Sequence, residues 1–331
     1  MSYDEQEYTK SFDIKIWKKV LPFLKPFRKV VLMVILLNLF CSAVDIALPL
    51  FQRYAIDNFI ETGSTKGLPV FALVYLVVIG LQTISVIAFT RGNVRIEMQM
   101  GRDMKRACFV HLQTLSFSYY NVTPVGYILA RVMNDTNRIA GLVAWNMVDM
   151  LWAFAYVAGV FVVMALLNWK LIVMLIVPAI AILTVYFQNR ILKWNRKVRK
   201  INSKITSAYN EGIMGAKTSK TLVIEEKNAE GFREVTQEMR VAGVKAARLS
   251  AIYLPLVLFF SSLATAIVLA QGGKMVLEDL MMIGTLSAFS SYAVGIFEPI
   301  QQLARNIAEV ISAQANIERV MGLLEQEPQV V

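Results

Sequence analysis

The apolar stretch VVLMVILLNLFCSAVDIALPLF, residues 30–51, decides the fold class of this chain. Asp45 is its one charged residue, and a helix of this length crosses about 30 Å of hydrocarbon. Five later stretches are similarly long and apolar. The chain is therefore predicted to be an all-α membrane protein with six transmembrane helices, at residues 30–51, 67–90, 147–168, 171–187, 251–270 and 280–300.

The overall composition also favours a membrane protein. Apolar residues make up 56% of the 331 residues, charged residues only 18%, and the mean hydropathy is +0.52. Soluble domains carry about 25% charged residues. The net charge of +10 is typical of nucleic-acid-binding proteins as well. The positions of the charges favour another explanation, and we expect no nucleic-acid partner.

The basic residues predict the topology. Of 34 Lys and Arg, 30 lie in residues 1–29, 91–145, 190–250 and 301–331. The remaining four lie in the intervening short loops: Arg53, Lys66, Lys170 and Lys274. Because basic residues collect on the cytoplasmic side, both termini and both long loops are predicted to be cytoplasmic, in a multi-pass protein of the plasma membrane. The polar, acidic N-terminus does not resemble a signal peptide, so the first span is expected to be retained.

Residues 1–29 are predicted to form a tail and a basic amphipathic helix. Apolar residues fall on one face of this helix, at Phe12, Ile16, Val20, Leu24 and Phe27. Lysines and arginines surround them. Such an elbow helix is suited to the inner headgroup layer of a membrane.

The two long loops are predicted to be helical hairpins that extend the spans into the cytoplasm. The second loop has no proline between Pro178 and Pro255, and apolar residues of the first recur at helical spacing, at Met104, Cys108, Leu112 and Leu115. We expect the chain to turn at residues 118–126, where Pro124 and Gly126 break the helix, and at residues 212–215.

The second of these turns lies in NEGIMGAKTSKTL, residues 210–222, which has some features of a phosphate-binding loop. The P-loop pattern requires a glycine, four residues and then Gly-Lys-[Ser/Thr]. Here Glu211 and Ala216 stand at the two glycine positions, and the preceding segment is not a buried strand. A nucleotide site is therefore not expected in this stretch.

Several motifs in register with this topology resemble the transmembrane domain of ABC exporters. In the first loop, VGYILARVMND keeps Gly126, Arg131, Asn134 and Asp135 of the family pattern and departs from it at Val125 and Tyr127. The second loop keeps the family spacing at Glu211, Gly215, Lys220, Leu222, Glu225 and Phe232. Pro49 and Asp57 hold the spacing expected near the first external loop, and Glu318 and Arg319 stand at the usual place after the sixth span. The resemblance runs from the elbow helix to the C-terminus.

The resemblance implies two coupling helices that contact nucleotide-binding domains, the second reaching the domain of the partner subunit. Their residues would be Ser118, Tyr119, Tyr120, Asn121 and Gly126 in the first, and Glu211, Gly212, Gly215, Ala216, Lys217 and Thr218 in the second. It also implies a second transmembrane subunit, identical or different, and residues 30–320 as the six-helix domain. Residues 321–331 would begin a linker toward a nucleotide-binding domain.

The same resemblance places ATP and Mg²⁺ on the nucleotide-binding domains, with no cofactor in this chain. Residues 1–331 contain no P-loop, Walker B or LSGGQ-like motif. We therefore expect the chain alone not to hydrolyse ATP. Whether an ATPase domain follows or is a separate chain is left open.

Polar residues within the spans are the candidates for a substrate cavity. A charged side chain at the bilayer centre costs about 2.5–3.5 kcal/mol on insertion scales, so such residues should face water or protein. The candidates are Asn38, Asp45, Asp149, Ser291, Glu298 and Gln302, with Gln82, Ser261 and Ser262 as further polar positions. The alternative for each is a hydrogen bond between packed helices. An amphipathic drug, a lipid or a peptide would each suit such a cavity as cargo.

Two other functional classes were weighed. A six-span secondary transporter or channel without ATP coupling typically shows repeats with paired Gly or Pro interruptions, and we find none in the sequence. An intramembrane enzyme would need paired histidines or a nucleophile motif, whereas His111 is the only histidine. The ABC exporter hypothesis is therefore preferred, with the secondary transporter as its alternative.

Overall fold

The computed structural model describes residues 13–174 and 177–327, and these ranges contain helices and turns but no strand. By contact density the chain divides into two compact units. One comprises Met1–Val173 with Val268–Val331, and the other comprises Met174–Ile267. The predicted all-α class is confirmed.

Thirteen α-helices account for most of the described residues. They are α1 Ile14–Lys18, α2 Leu21–Leu24, α3 Arg28–Ala55, α4 Leu68–Leu112, α5 Phe117–Val122, α6 Val125–Leu129, α7 Thr136–Gly141, α8 Met147–Met174, α9 Val177–Met214, α10 Ala216–Leu222, α11 Glu225–Leu277, α12 Ile283–Gly295 and α13 Phe297–Leu324. Wider π-turns continue some of them, at Ile56–Ile60, Ala130–Asp135 and Leu142–Asn146, and a 3₁₀ turn lies at Lys25–Phe27.

Within the described residues, four continuous helical stretches are long and apolar enough to cross a membrane: Ile14–Ile60, Leu68–Leu112, Val125–Asn168 and Glu225–Leu277. They contain the first, third and fifth predicted spans and all of the second except residue 67. The fourth predicted span, 171–187, includes residues 175 and 176, which lie outside the described residues. The sixth is divided at Ile296 between α12 and α13, where Pro299 has no N–H to bond the Gly295 carbonyl. The count of six spans stays a prediction.

The elbow helix is present but interrupted, because Pro22 and Pro26 divide it into α1, α2 and the 3₁₀ turn. Its predicted apolar face is only partly correct. Trp17 and Val20 are the buried residues, although Trp17 was not on the predicted face; Phe12 lies outside the described residues. The elbow contacts α13 through a hydrogen bond of 2.8 Å, which the Asp13 amide donates to Gln314 Oε1.

The core of the larger unit lies where α4, α7 and α13 meet. Met100, Met104 and Cys108 follow one another at i, i+4 and i+8 on α4 and are fully buried. They pack with residues of α7 and α13, including Ile139 and Ile317. The helical stripe predicted for the first loop is therefore confirmed for Met104, Cys108 and Leu112, whereas Leu115 lies in the turn after α4. Burial raises the pKa of the Cys108 thiol to about 11.

A side-chain cap joins the turn that follows α3 to the start of α12. Asp57 Oδ1 accepts a hydrogen bond from the Gly284 amide at 2.7 Å, and Arg53 Nε lies 3.5 Å from Asp57 Oδ2. The amides of the first helical turn have no partner within their own helix, and a carboxylate there is favoured by the helix dipole. Asp57 therefore holds α12 against the end of α3.

We predict that Gly284→Ala destabilises the protein. A Cβ at this position would lie 2.5 Å from the Arg53 carbonyl oxygen and even closer to the Asp57 carboxylate. Relieving such overpacking costs about 1–3 kcal/mol, so the melting temperature in detergent should fall. Gly273→Ala is the matched control, because a Cβ there meets nothing within 4 Å. Equal melting temperatures for the two variants would contradict the prediction.

In the smaller unit, α9 and α11 form an antiparallel hairpin joined by α10. The rings of Tyr209 and Phe232 lie 4.9 Å apart near its tip, and those of Phe187 and Tyr253 lie 5.7 Å apart at the other end. Lys204 and Glu238 form an ion pair of 3.5 Å between them. The predicted continuation of α9 beyond residue 190 as helix is confirmed.

Candidate functional site

The turn of the second loop lies at Gly215, between α9 and α10. Its amide donates to the Glu211 carbonyl at 2.7 Å, and its own carbonyl accepts from the Ser219 amide at 2.8 Å. The prediction that the turn also involves Gly212 was wrong, because α9 continues as helix through Gly212 to Met214. We call residues 211–223 the second tip.

Only a glycine fits at the turn. A Cβ at Gly215 would lie 2.8 Å from the carbonyl oxygen of Glu211, whereas a Cβ at Gly212 would meet nothing within 4 Å. The obstacle is a backbone atom, so no side-chain movement relieves it. The Gly215 amide, engaged with Glu211, serves the turn and not a phosphate.

Apolar side chains are exposed on the second tip. Met214 is 89% exposed and Val223 is 82% exposed, and Ile213 and Leu222 are also largely exposed. The predicted coupling residues Glu211, Ala216, Lys217 and Thr218 are exposed between them. Exposed apolar groups clustered on a charged hairpin mark an interaction surface. These four residues were not among the predicted coupling residues, although apolar residues in a charged turn were a visible signal.

The first tip is the short helix α5, Phe117–Val122. Phe117 is 89% exposed, and Val122 is exposed as well. The predicted break at Pro124 is confirmed, because this residue caps the start of α6 with extended backbone. The prediction that Gly126 also breaks the helix was wrong, since it lies within α6. Proline has a backbone suited to a helix start, and the helix follows it directly.

Side chains of the first tip tie it to the core beneath. Tyr120 Oη donates to the Leu112 carbonyl at 2.5 Å, at the end of α4. The Tyr119 ring packs against the core of α4, α7 and α13, and this burial raises the pKa of its phenol. Ser118 and Ser116 share a hydrogen bond of 2.7 Å, and Asn121 is exposed. The first tip thus has an outer apolar edge and an anchored inner edge.

An ion pair links the segment after the first tip to α13. Arg319 Nε and Nη2 donate to the two carboxylate oxygens of Asp135 at 2.7 and 2.8 Å. The Asp135 side chain is 11% exposed and that of Arg319 is 28% exposed. Both residues belong to the motifs singled out in the sequence, but their pairing was not predicted. The bidentate geometry fixes α13 beside α7.

Among the candidate cavity residues, Asp45 is engaged between helices. Its two carboxylate oxygens accept hydrogen bonds from Gln82 Nε2 at 2.7 Å and Trp152 Nε1 at 2.9 Å. These three residues come from α3, α4 and α8. The arrangement favours the alternative weighed for Asp45, a hydrogen bond between packed helices.

The other candidates are distributed over separate contacts. Gln302 lies close to the Asp149 carboxyl group, and Ser291 Oγ donates to Gln52 Oε1 at 3.3 Å. Asn38 is buried and Glu298 is exposed. A cavity of about 670 Å³ in the described chain is lined by other residues: Leu50, Arg53, Tyr54, Asp57, Asn58, Glu61, Thr62 and Met282. The assignment of the six candidates to a substrate cavity stays a prediction.

The fold and the tips define a multi-pass membrane protein whose long apolar helices lead into helical hairpins with exposed apolar ends. Residues 31–300 match the family described as the ABC transporter transmembrane region. The chain belongs to this family, which confirms the resemblance found in the sequence.

Curated proteins similar to this chain are about twice as long as the chain itself. The uncharacterized ABC transporter ATP-binding protein YknV of Bacillus subtilis is 28% identical over 96% of this chain and 53% of its own length. The putative multidrug export ATP-binding/permease protein YgaD of the same species is 23% identical over 93% of this chain and 55% of its own length. An ATP-dependent lipid A-core flippase of Desulfotalea psychrophila is 22% identical over 96% of this chain and 55% of its own length. The chain thus spans about half the length of these relatives.

Proposed function

We propose that this chain forms half of the translocation pathway of an ATP-driven exporter in the plasma membrane, with both termini cytoplasmic. A second transmembrane subunit, identical or different, supplies the other half. Support comes from the family and from relatives whose names include ATP-binding and permease proteins. ATP and Mg²⁺ act on nucleotide-binding domains that dock beneath the two tips.

The observation that carries this proposal is the exposed apolar surface at the ends of both hairpins. Phe117 on the first tip and Met214 on the second are each 89% exposed. Both lie on loops that the charge distribution predicts to be cytoplasmic, where lipid cannot cover them. A protein partner can, since aromatic residues and methionine are enriched where protein surfaces meet.

Contacts along the hairpins couple movement of these tips to movement of the spans. Ion pairs from Lys197 and Lys204 to Glu238, at 3.8 and 3.5 Å, hold α9 beside α11, and Arg319 holds α13 beside the segment that follows the first tip. When nucleotide binding closes the ATPase domains, the tips move together and the stiff helices change the access of the pathway. Nucleotide drives this change because it favours one of the two states.

The cargo we propose is an amphipathic molecule or a lipid. Relatives are named for multidrug export and for lipid A-core flipping, and the spans are strongly apolar. Glu298 is exposed in the first turn of α13, so this carboxylate is available to polar groups of a cargo. A peptide cargo would be less consistent with these relatives.

Charge placed on the second tip should disrupt coupling. Met214→Asp in the complete transporter is expected to lower ATP-driven transport about tenfold or more, because an exposed apolar side chain that the partner would bury becomes charged. Val241→Asp is the matched control, since Val241 is 45% exposed on α11 away from the tip. Transport into inside-out vesicles measures the effect. Equal transport by Met214→Asp and wild type would overturn the proposed role of this tip.

The topology is tested by labelling single cysteines in intact cells. We expect an impermeant maleimide to label cysteines at positions 66 and 274, and to label positions 204 and 227 only after lysis. The uneven distribution of basic residues motivates this expectation. The native Cys41 and Cys108 are buried and would be replaced by alanine. Labelling at 204 before lysis would contradict the six-span topology.

A further inference from the structure

The base of the smaller unit's hairpin carries a stripe of alternating aromatic and basic side chains. On α9, Tyr186, Arg190, Trp194 and Lys197 recur at i, i+4, i+8 and i+11, which places them on one face. The Arg190 guanidinium lies 5.3 Å from the centroid of the Tyr186 ring. We call these four residues the α9 stripe.

A lysine from α11 joins the stripe. The ammonium groups of Lys245 and Lys197 lie 5.0 and 5.6 Å from the centroid of the same Trp194 ring. Lys197 is also paired with Glu238 at 3.8 Å, so Lys245 is the cation that the ring positions for an anion.

Acidic residues are absent from this end of the hairpin. Residues 177–210 of α9 and 239–277 of α11 contain no Asp or Glu, whereas the acidic residues of α11 are Glu225, Glu226, Glu230, Glu234 and Glu238. Glu238 pairs with Lys197 and Lys204 and is the carboxylate of α11 nearest to the stripe. Arg190 and Lys245 lie within the two segments that contain no Asp or Glu. Both side chains are exposed, and no carboxylate of these two segments neutralises their charges.

The stripe begins where the predicted spans end. Arg190 is three residues beyond the span 171–187, and Lys245 is six residues before the span 251–270. These separations correspond to about 5 and 9 Å of helix, and the headgroup layer is about 5–8 Å deep on each side of the membrane. Long basic side chains reach it by snorkelling. Tyr186 and Ile252 are about half exposed on the span side of these cations, where they can contact acyl chains.

We propose that Arg190, Lys245 and the Trp194 ring form a binding site for the headgroup of an anionic phospholipid in the cytoplasmic leaflet. The phosphate is held by the guanidinium and ammonium groups, since basic residues next to a span attract anionic lipids. The glycerol backbone and acyl chains lie against Tyr186 and Ile252. This site is separate from the coupling tips and rests on the predicted topology of the fourth and fifth spans.

The test measures lipid binding to the purified full chain by native mass spectrometry, with phosphatidylglycerol and phosphatidylcholine as probes. Wild type should bind phosphatidylglycerol about tenfold more tightly than phosphatidylcholine. Arg190→Gln/Lys245→Gln should remove this preference. Arg199→Gln/Lys200→Gln is the matched control, because it also removes two positive charges, both from α9, with Arg199 on the face opposite Arg190.

The outcomes separate a specific site from general attraction. The proposal is supported if the control variant keeps the preference for phosphatidylglycerol within about twofold and the site variant loses it. Equal loss in both variants, or no preference in wild type, overturns it. Arg190→Lys keeps the charge and should keep most of the preference. If inorganic phosphate at equal concentration displaces the lipid, the ligand is a free anion and the lipid site is refuted.

Discussion

Gly215→Trp in the complete transporter is expected to lower the transport rate about tenfold or more while leaving expression and cargo binding near wild-type levels. The Cβ would lie 2.8 Å from the Glu211 carbonyl oxygen, so the turn must open and the second tip must move. The spans are remote in sequence from this turn, so the membrane-embedded part should fold normally. Transport and cargo-stimulated ATP hydrolysis measure the effect.

Gly212→Trp is the control for this prediction. It places the same side chain on the second tip where the added Cβ meets nothing within 4 Å, so it separates opening of the turn from added bulk on the docking surface. Gly231→Trp is the control outside the second tip, because a Cβ at Gly231 on α11 also meets nothing within 4 Å. Ser118→Trp makes the comparison on the first tip. Since coupling is reciprocal, cargo should also lose its effect on nucleotide affinity in Gly215→Trp. Full cargo stimulation and full transport in this variant would show that the second tip is an ordinary turn.

Arg319→Met is expected to cost about 3 kcal/mol of stability, because it leaves the Asp135 carboxylate without its partner in a largely buried place. This is the low end of the range for buried pairs, since Arg319 keeps 28% of its side-chain exposure. The loss should separate α13 from the segment after the first tip. The melting temperature in detergent provides the measurement, and transport should decline with it.

A double-mutant cycle distinguishes the ion pair from packing. Asp135→Asn/Arg319→Met removes both charges and should recover part of the stability lost in Arg319→Met. Arg319→Lys should recover little, because a lysine cannot make the two parallel hydrogen bonds that Arg319 makes. Strictly additive effects of the two single changes would show that Asp135 and Arg319 are not energetically coupled.

The helical hairpins were predictable because their signals are local. Proline spacing and apolar periodicity act within a few turns of one helix, so the stripe of Met104 and Cys108 and the long helix α9 could be derived from residue order. Breaks in helices were less predictable. Gly212 and Gly126 stay helical because a glycine permits a turn without requiring one. Whether the helix continues through a glycine depends on the hydrogen bonds of the neighbouring residues.

The cavity candidates show why buried polar residues resist prediction. A carboxylate within a span must face either water or protein, and residue order is compatible with both environments. The Asp45 carboxylate is held by Gln82 and Trp152 from two other helices, donors that are 37 and 107 residues away in the chain. Nothing in the neighbourhood of Asp45 in the sequence indicates these donors.

By itself the sequence determined the membrane class, the helical character, the positions of the two tips and the family, because hydropathy, charge asymmetry and motif spacing are properties of residue order. Only the tertiary structure decided which helix touches which. It paired Asp135 with Arg319 and Asp57 with Gly284, seated Trp17 in the core, and brought Lys245 to Trp194. These contacts join residues distant in the chain, and their energies depend on distance and burial, which residue order does not specify.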